Sequence, residues 1–266
     1  MKYIYETHLH TSQASACGRS QGEEYIKRYR DLGYAGVIVT DHFFGGNTAV
    51  PRNLPWRERI HMFCRGYENA REAGDKAGFS VFFGWEEHYD GDEYLIYGLD
   101  KQWLLDHPEV EHFTRKEQFD AVHAAGGCVV QAHPFRDRDY ISAIRLSTGC
   151  VDGVEAYNAS NRPENDILAV RYAKVLGLPV TAGSDIHHVK TYSDDEVMGV
   201  VFDSPLTSIL DYVKAIREKK PFGVRVPAGR GIWREGTDIH LPVELRDKMD
   251  RALSRDVWEL LESSGS

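Results

Sequence analysis

The sequence has few cysteines and no recognisable secretory leader. Four cysteines are spread over 266 residues, too far apart to form a C-x-x-C pair: Cys17, Cys64, Cys128 and Cys150. The first ten residues contain one lysine and no apolar stretch, unlike a signal peptide. Because thiols in chains without a secretory signal are normally reduced, we expect free cysteines and a cytoplasmic location.

The sequence also lacks long apolar runs and an excess of positive charge. No run approaches the roughly 20 residues that a membrane-spanning helix requires, so we expect no membrane partner. Acidic residues outnumber basic residues by 41 to 32, which gives a net charge of −9. This balance argues against stable nucleic-acid binding, although bound metal ions would still allow a nucleotide substrate. The sequence does not indicate an oligomeric state.

What the sequence does contain is an alternation of short apolar strands and amphipathic helices, which implies an α/β protein with a parallel sheet. A strand at 94–98 is expected to pair with the strand at 79–85 across an acidic turn. Helices are predicted at 56–77, 139–147 and 245–261, among others. From about residue 227 the alternation lapses, so we predict a barrel-sized domain over 1–226 and a C-terminal loop and helix appendage over 227–266.

Residues of the metal-ligand type follow five of the predicted strands. They are His8, His10, Asp41, His42, Glu86, His133, Asp185 and His187. No G-x-G-x-x-G follows the first strand, so dinucleotide binding is unsupported. A closed barrel brings the carboxyl ends of all its strands to one mouth, whereas an open sheet would scatter these residues along an edge. The positions therefore favour a barrel.

The mixture of imidazoles and carboxylates suits Zn²⁺, Mn²⁺ or Fe²⁺. His8 and His10 are two residues apart, so they point to the same side of a strand. The candidates are too many for one four-coordinate ion. We therefore predict two or three divalent ions, with Glu86 as the bridge because a carboxylate offers two oxygens.

Five short motifs carry a resemblance to a known family: H-L-H at 8–10, T-D-H at 40–42, G-W-E at 84–86, A-H-P at 132–134 and S-D-I-H at 184–187. In this order they resemble the polymerase and histidinol phosphatase (PHP) family of metal-dependent phosphoesterases, over roughly residues 1–225. The resemblance implies a distorted (β/α)7 barrel with two or three metal ions at its mouth. It implies ligand roles for His8, His10, His42, Glu86, His133, Asp185 and His187.

Two positions depart from the family pattern, and both concern the third metal ion. Where many members have Asp or His about five residues after the first motif, this chain has Cys17, which is either a soft ligand or a plain loop thiol. Where members often have His, this chain has Glu93, which is either an oxygen ligand or a solvated turn residue. Asp41 is interpreted as a residue that orients His42 or another ligand.

The resemblance implies hydrolysis of a phosphate ester by metal-activated water. The acidic balance of the chain favours a small ester, such as a nucleotide or a sugar or amino-alcohol phosphate, over a polymer. The candidate catalytic residues are Asp185, His187 and Asp41, and the proton of the leaving group is expected to be handled by Asp185, His187 or a metal-bound water.

Three arginines are candidates for binding the phosphate group. Arg136 follows the A-H-P motif and should lie at the mouth, where its planar fork would suit phosphate. Arg19 and Arg162 lie on loops that should reach the same rim. For each of them a surface ion pair is the alternative.

Two other functions remain open at this point. A metal-dependent amidohydrolase-like enzyme would use a related metal cluster, although no lysine occupies a matching strand end. A non-catalytic, metal-stabilised module is the alternative from a different class of protein.

Overall fold

The structure is a computed structural model that describes residues 1–232 and 236–262. Its strands are β1 Tyr3–Glu6, β2 Gly36–Val39, β3 Ser80–Tyr89, β4 Asp92–Tyr97, β5 Cys128–Ala132, β6 Ile144–Ser147, β7 Gly153–Asn158, β8 Val180–Gly183, β9 Gly199–Phe202, β10 Gly223–Arg225, β11 Val243–Arg246 and β12 Ala252–Leu253. Its helices are α1 Gly22–Asp31, α2 Trp56–Phe63, α3 Arg65–Ala77, α4 Lys101–Asp106, α5 Arg115–Ala124, α6 Pro163–Leu176, α7 Ile209–Arg217 and α8 Val257–Glu262, with a 3₁₀ helix at Pro108–His112.

Within the described residues, a nine-stranded sheet runs in the order β10-β9-β1-β2-β3-β4-β5-β7-β8. The seven strands from β1 to β8 in this order nearly close on themselves, because Leu9 beyond β1 forms a parallel bridge with Ile186 beyond β8. The His10 N–H donates to the Ile186 carbonyl at 2.9 Å. The prediction of a distorted barrel surrounded by helices is therefore confirmed.

The barrel is not wholly parallel, because β4 runs antiparallel to both β3 and β5. The expected pairing across the acidic turn is a β-hairpin, in which Asp90 and Gly91 join β3 to β4. Both residues have positive φ, 43° and 98°, as a two-residue hairpin turn that matches strand twist requires. Since β4 is reversed, its first residues lie at the mouth, and this direction brings Glu93 to the site.

Burial explains why the strands are continuous apolar runs. Every residue of β2 and of β5 is buried, as expected for strands covered on both faces. On the outside of β2, the helix α1 packs Tyr25, Ile26 and Tyr29 against the strand.

Three of the predicted helices differ from the structure. The predicted helix at 56–77 is two helices that meet at Cys64. The predicted helix at 139–147 was wrong, since residues 144–147 form β6, where Ile144 and Leu146 are buried and Arg145 between them is half-buried. This spacing of two is the strand period. The local sequence of this short segment is compatible with a helix or a strand, and the partner strand decides between them.

The helix predicted at 245–261 was also wrong over most of its length. The segment contains the last residues of β11, then β12, and only its end is helical, in α8. β11 pairs in parallel with β6, which is distant in the sequence, and together with β12 they form a three-stranded sheet. Leu245, Leu260 and Leu261 share a core cluster with Tyr172 of α6. Among the described residues, none of the helices has both the length and the apolar character that crossing a bilayer requires.

The packing of β11 against α6 can be tested by truncating one leucine. Leu245 is 1% exposed and Leu253 of β12 is 39% exposed. We expect Leu245→Ala to lower the free energy of unfolding by about 2–5 kcal/mol, because it removes buried methyl groups and leaves a cavity. Leu253→Ala, the matched control, should change it by less than about 0.5 kcal/mol. Urea unfolding measures both, and equal losses would contradict the packing described.

Candidate metal centre

The carboxyl ends of the barrel strands, together with the first residues of β4, bring eight of the predicted side chains into one cluster. They form four overlapping groups in which the potential ligand atoms lie within 4.8 Å of one another: His8, His10 and Asp185; His8, Glu86 and His133; His42, Glu86 and Glu93; and His10, His42 and His187. The strand ends are joined by backbone hydrogen bonds, such as that from the Phe43 N–H to the Glu86 carbonyl at 2.8 Å. The barrel thus holds these ligand-type side chains in place through its backbone.

Glu86 is at the centre of the cluster. One of its oxygens, Oε1, lies 3.0 Å from His133 Nε2 and 3.3 Å from His8 Nε2. The other, Oε2, lies 2.8 Å from His42 Nδ1 and 3.4 Å from His10 Nε2. The two oxygens therefore face different pairs of imidazoles, which is the arrangement that a bridging carboxylate requires.

Asp185 is a second carboxylate that the imidazoles of the cluster contact. Its Oδ1 lies 3.2 Å from His10 Nε2 and 3.6 Å from His8 Nε2. His187 is also near, with its Nδ1 2.9 Å from the Asp185 carbonyl oxygen, to which it can donate. The His10 ring stacks on the His187 ring with centroids 4.3 Å apart.

Not all polar atoms of the cluster satisfy one another, and this tests whether metal ions fit. The Nε2 atoms of His8 and His10 face each other at 3.0 Å. His42 Nδ1 and Glu86 Oε2 are buried and lie 2.8 Å apart, but their angles are not those of a hydrogen bond, and neither atom has another hydrogen-bond partner. Unpaired buried nitrogen and oxygen atoms are costly, and divalent ions of the Zn²⁺, Mn²⁺ or Fe²⁺ type bind such mixed sets. The residues therefore fit a metal centre.

The electrostatics of the cluster depend on its carboxylates. Burial lowers the pKa of His8 and of His42, but Glu155 and Glu86 beside His8, and Glu86 beside His42, raise both pKa values well above the usual value. Burial alone would raise the pKa of Glu86, but the imidazoles of His8 and His42 hold that pKa well below its usual value. Burial lowers the pKa of His10, and the neighbouring His42 and His187 lower it further. His10 is therefore kept neutral, with a lone pair available, beside an ionised carboxylate.

Backbone strain is concentrated in the same place. His133 and Asp185 both have positive φ, 30° and 51°, which residues other than glycine rarely adopt. Such conformations persist only where the surrounding structure imposes them, and they are common at functional sites. Close packing imposes another restriction, since a Cβ on Gly183 would lie 2.4 Å from Glu155 Oε1 and 2.6 Å from His8 Cβ.

Glu155 on β7 is a supporting residue that the sequence did not suggest. Its Oε1 accepts from His8 Nδ1 at 2.9 Å, and its Oε2 accepts from the His133 N–H at 3.2 Å. The bond from Nδ1 fixes the tautomer of His8 and leaves Nε2 free for a metal ion. The available signal was an acidic residue inside the apolar strand G-V-E-A-Y at 153–157.

Asp41 lies beneath the cluster and reaches it through Ser15, which the sequence also did not suggest. Asp41 accepts hydrogen bonds from the Thr11 N–H at 2.6 Å and from Ser15 Oγ at 2.6 Å. Since the Ser15 hydroxyl proton is used in this way, Ser15 Oγ accepts from His10 Nδ1 at 3.2 Å and from the His42 N–H at 3.0 Å. Asp41 thereby orients His10, whereas its role in catalysis stays a prediction.

The two positions that depart from the family pattern both lie at the cluster. Glu93 Oε2 is 3.4 Å from His133 Nε2, and Glu93 Oε1 is 3.5 Å from His88 Nδ1. Glu93 is therefore placed as an oxygen ligand would be. Cys17 lies beside His187 and His42; burial raises its pKa, but hydrogen bonds to the two imidazoles outweigh burial and lower it to about 6.

A cleft of about 560 Å³ opens over the cluster and is lined by Asp185, His187, Cys17 and Glu93. Arg136, Arg138 and Tyr140 also line it, and the sequence had suggested only the first of these three. Arg136 is held by Asp185 Oδ2 at 2.6 Å and by Asn161 Oδ1 at 2.9 Å.

The other two predicted arginines are placed differently. Arg162 forms an ion pair with Asp137 and lines a neighbouring cavity of about 470 Å³, which shares Arg138 with the cleft. Arg19 is exposed, and its backbone N–H donates to the His187 carbonyl at 2.6 Å. Substrate binding by Arg19 and Arg162 stays a prediction.

Two solved structures share the fold of this chain at low sequence identity. A protein from Bifidobacterium adolescentis, provisionally named a metal-dependent phosphoesterase, is similar with a TM-score of 0.51 and 17% identity, over 80% of this chain and 96% of that chain. PsfC from Pseudomonas syringae is similar with a TM-score of 0.50 and 17% identity, over 86% and 93% of the two chains. An amidohydrolase from Chromobacterium violaceum has a TM-score of 0.47 and 15% identity, over 80% of this chain and 96% of that chain. No family model and no curated protein matches the chain.

The contribution of Glu155 can be measured through metal affinity. We expect Glu155→Gln to weaken Mn²⁺ binding by about 10–100-fold, because an amide neither enforces the His8 tautomer nor adds negative charge behind the ring. Isothermal titration of the metal-free protein with Mn²⁺ measures the affinity. Glu58→Gln, a change at an exposed helix position, should bind like the wild type. Wild-type affinity in Glu155→Gln would contradict the role assigned to Glu155.

Cys17 can be tested by alkylation. It is half-buried, whereas Cys64, Cys128 and Cys150 are buried, so iodoacetamide should modify one thiol in the native chain, and Cys17→Ser should abolish this labelling. Because Cys17 lies beside His42 and His187, saturating Mn²⁺ or Zn²⁺ should slow the reaction at least severalfold. An unchanged rate, measured by mass spectrometry, would show that Cys17 is a loop thiol remote from the ions.

Proposed function

We propose that this chain is a metal-dependent phosphoesterase of the PHP type that hydrolyses a small phosphate ester. The observation that carries the proposal is the buried cluster of imidazoles and carboxylates beneath a cleft that also presents arginines. Divalent ions, when bound, supply Lewis acidity at phosphoryl oxygens and lower the pKa of water. Zn²⁺, Mn²⁺ and Fe²⁺ are the candidates, and the four overlapping ligand groups would accommodate two or three ions.

The side chains of the cleft have separate tasks in this proposal. Arg136 uses Nε and Nη2 to hold Asn161, Asn158 and Asp185, so Nη1 is the nitrogen that would bind a phosphoryl oxygen. Arg138 would bind a second oxygen or another anionic group of the substrate. Arginine suits both tasks because its planar fork matches the geometry of phosphate.

Proton transfer to the leaving group falls to His187 or Asp185. The His187 side chain is 28% exposed at the cleft and is oriented by its Nδ1 contact with the Asp185 carbonyl. Its Nε2 is thereby directed away from this contact. An imidazole that binds no ion is a suitable proton carrier near neutral pH, so His187 has this task when the ions occupy the other ligand groups.

The size and composition of the cleft favour a small ester. A volume of about 560 Å³ lies within the range of small-molecule sites. The net charge of −9 does not favour a polyanionic polymer, and Tyr140, which is 72% exposed, offers a ring face to an aromatic part of the substrate. None of the cleft-lining residues in the described part of the chain is a lysine, so a carbamylated lysine ligand, which would favour amide hydrolysis, has no candidate. A cytoplasmic location belongs to the same proposal.

The proposal is tested with protein reconstituted with Mn²⁺, Zn²⁺ or Fe²⁺ and its metal content measured. We expect turnover of at least one phosphomonoester in a panel that also contains dinucleotides, short oligonucleotides and amide or lactone substrates. A chelator should abolish this turnover and lower the melting temperature. Turnover of amides alone would favour the amidohydrolase alternative. A metal-loaded protein that hydrolyses nothing, yet is stabilised by its ions, would be the non-catalytic module.

The role of Arg136 in phosphate binding can be tested by a conservative change, with kcat/KM measured at saturating Mn²⁺ so that weaker metal binding does not contribute. We expect Arg136→Lys to lower kcat/KM for the phosphomonoester by on the order of 100-fold, because lysine lacks the planar fork that binds oxygen and neighbours together. Arg57→Lys, at an exposed position of α2, is the matched control and should behave like the wild type. A loss of less than about threefold in Arg136→Lys would remove Arg136 from the phosphate site.

A further inference from the structure

Arg230, which follows β10 and lies outside the predicted barrel domain, clamps a loop at the rim of the metal centre. Its Nε lies 2.5 Å from Asp166 Oδ2, and its Nη2 donates to the carbonyl oxygens of Asn158 and Asn161, both at 2.7 Å. The side chain is 13% exposed, and that of Asp166 is fully buried. One guanidinium thus joins helix α6 to both ends of the loop at 158–161.

The 158–161 loop also holds Arg136, the residue that contacts Asp185. The Oδ1 atoms of Asn158 and Asn161 accept from Arg136 at 3.0 Å and 2.9 Å. Arg136 in turn donates to Asp185 Oδ2 at 2.6 Å. Arg230 thus holds the backbone of the two asparagines whose side chains hold Arg136, and Arg136 holds Asp185, a side chain placed as a metal ligand.

A second series starts from the same asparagine. Asn158 Nδ2 donates to Glu155 Oε2 at 2.8 Å, and Glu155 Oε1 holds His8 Nδ1 at 2.9 Å. Asn158 and Glu155 are both 0% exposed. Displacement of Asn158 would thus disturb His8 and Asp185 together, and buried hydrogen bonds of this kind leave costly unpaired groups when they break.

The backbone around Arg230 forms a turn that places its side chain against the 158–161 loop. The Arg230 N–H donates to the Pro227 carbonyl at 3.2 Å, which closes a turn. Gly231 has φ of +78°, and a Cβ there would lie 2.5 Å from the Tyr157 ring. The segment therefore passes directly over the end of β7, closer than a larger residue would allow.

We propose that Arg230 is a positioning residue of the metal centre: it holds the 158–161 loop, and through Asn158 and Asn161 it sets the positions of Arg136, Asp185 and His8. The C-terminal segment would then complete the site rather than merely follow it. The inference rests on the proposed metal-dependent function, since it concerns the same centre. It goes further by naming a residue outside the five motifs on which metal affinity depends.

The test compares Asp166→Asn with the double variant Asp166→Asn/Arg230→Ala. The shared Asp166→Asn change removes the buried carboxylate that would otherwise lose its cation, so a folding failure is avoided. The double variant differs only in lacking the contacts from Arg230. We expect its Mn²⁺ affinity, measured by isothermal titration of the metal-free protein, to be about tenfold weaker than that of Asp166→Asn, the lower end of the effect of residues that support metal ligands. Asp166→Asn/Arg230→Lys should recover part of the loss.

Arg246→Ala is the matched control for general destabilisation. Arg246 is another arginine of the C-terminal segment, is 19% exposed, and forms ion pairs with Glu244 and Asp250 rather than with the loop. Its loss should lower the melting temperature and leave Mn²⁺ affinity unchanged. If the double variant binds Mn²⁺ within twofold of Asp166→Asn, or if Arg246→Ala weakens binding equally, Arg230 does not position the centre.

The readout separates this inference from the proposed function. Mn²⁺ affinity is measured without substrate. If the wild type hydrolyses no phosphate ester but the double variant binds Mn²⁺ more weakly than Asp166→Asn, the role of Arg230 is supported and the phosphoesterase is refuted. If the wild type hydrolyses a phosphate ester but the double variant binds Mn²⁺ as tightly as Asp166→Asn, the phosphoesterase is supported and the role of Arg230 is refuted. A wild-type chain that binds no Mn²⁺, Zn²⁺ or Fe²⁺ would refute both.

Discussion

The structure depends on the burial of Glu86 among four imidazoles. A carboxylate that is 1% exposed is expensive unless it is paired; burial would raise the pKa of Glu86, but the imidazoles of His8 and His42 hold that pKa well below its usual value. Divalent ions would supply the positive charge that the imidazoles can otherwise provide only by taking up protons, and would bind the His8 and His10 Nε2 atoms that face each other. The barrel has to hold the ligand side chains close together while no ion is present, and the strained backbone at His133 and Asp185 is one visible cost of doing so.

The surrounding layer of polar residues follows from that constraint. Each imidazole must present one nitrogen to the centre, so its other nitrogen needs a fixed partner, which Glu155 supplies for His8 and Ser15 for His10. Asp185 likewise has a fixed partner in Arg136, which offsets its charge and also faces the cleft. The mouth is thus acidic at its base and cationic at its rim, an arrangement suited to ions below and an anionic group above.

The sequence indicated most of the barrel, and the reason can be stated residue by residue. β2 and β5 are apolar throughout because they are covered on both faces, and ligand-type residues follow directly where such strands end. The segments that were misassigned, at 139–147 and 245–261, contain the strands β6 and β11, which pair mainly with each other across a large sequence separation. A short apolar segment adopts the structure that its partner allows, and no local pattern identifies that partner.

The sequence by itself indicated the barrel class and the candidate ligands that follow its strands, from His8 and His10 to Asp185 and His187, because the strands of a barrel end at one mouth and residues two apart on a strand point to the same side. Tertiary structure alone decided which atoms meet: that Glu86 faces two pairs of imidazoles, that Glu93 enters the cluster on a reversed strand, and that Glu155 and Ser15 fix the rings. It also brought Arg230 to the 158–161 loop from beyond the last strand of the large sheet. Such contacts join residues distant in the chain, and they arise only when closure of the barrel and the path of the C-terminal segment place them within hydrogen-bonding distance.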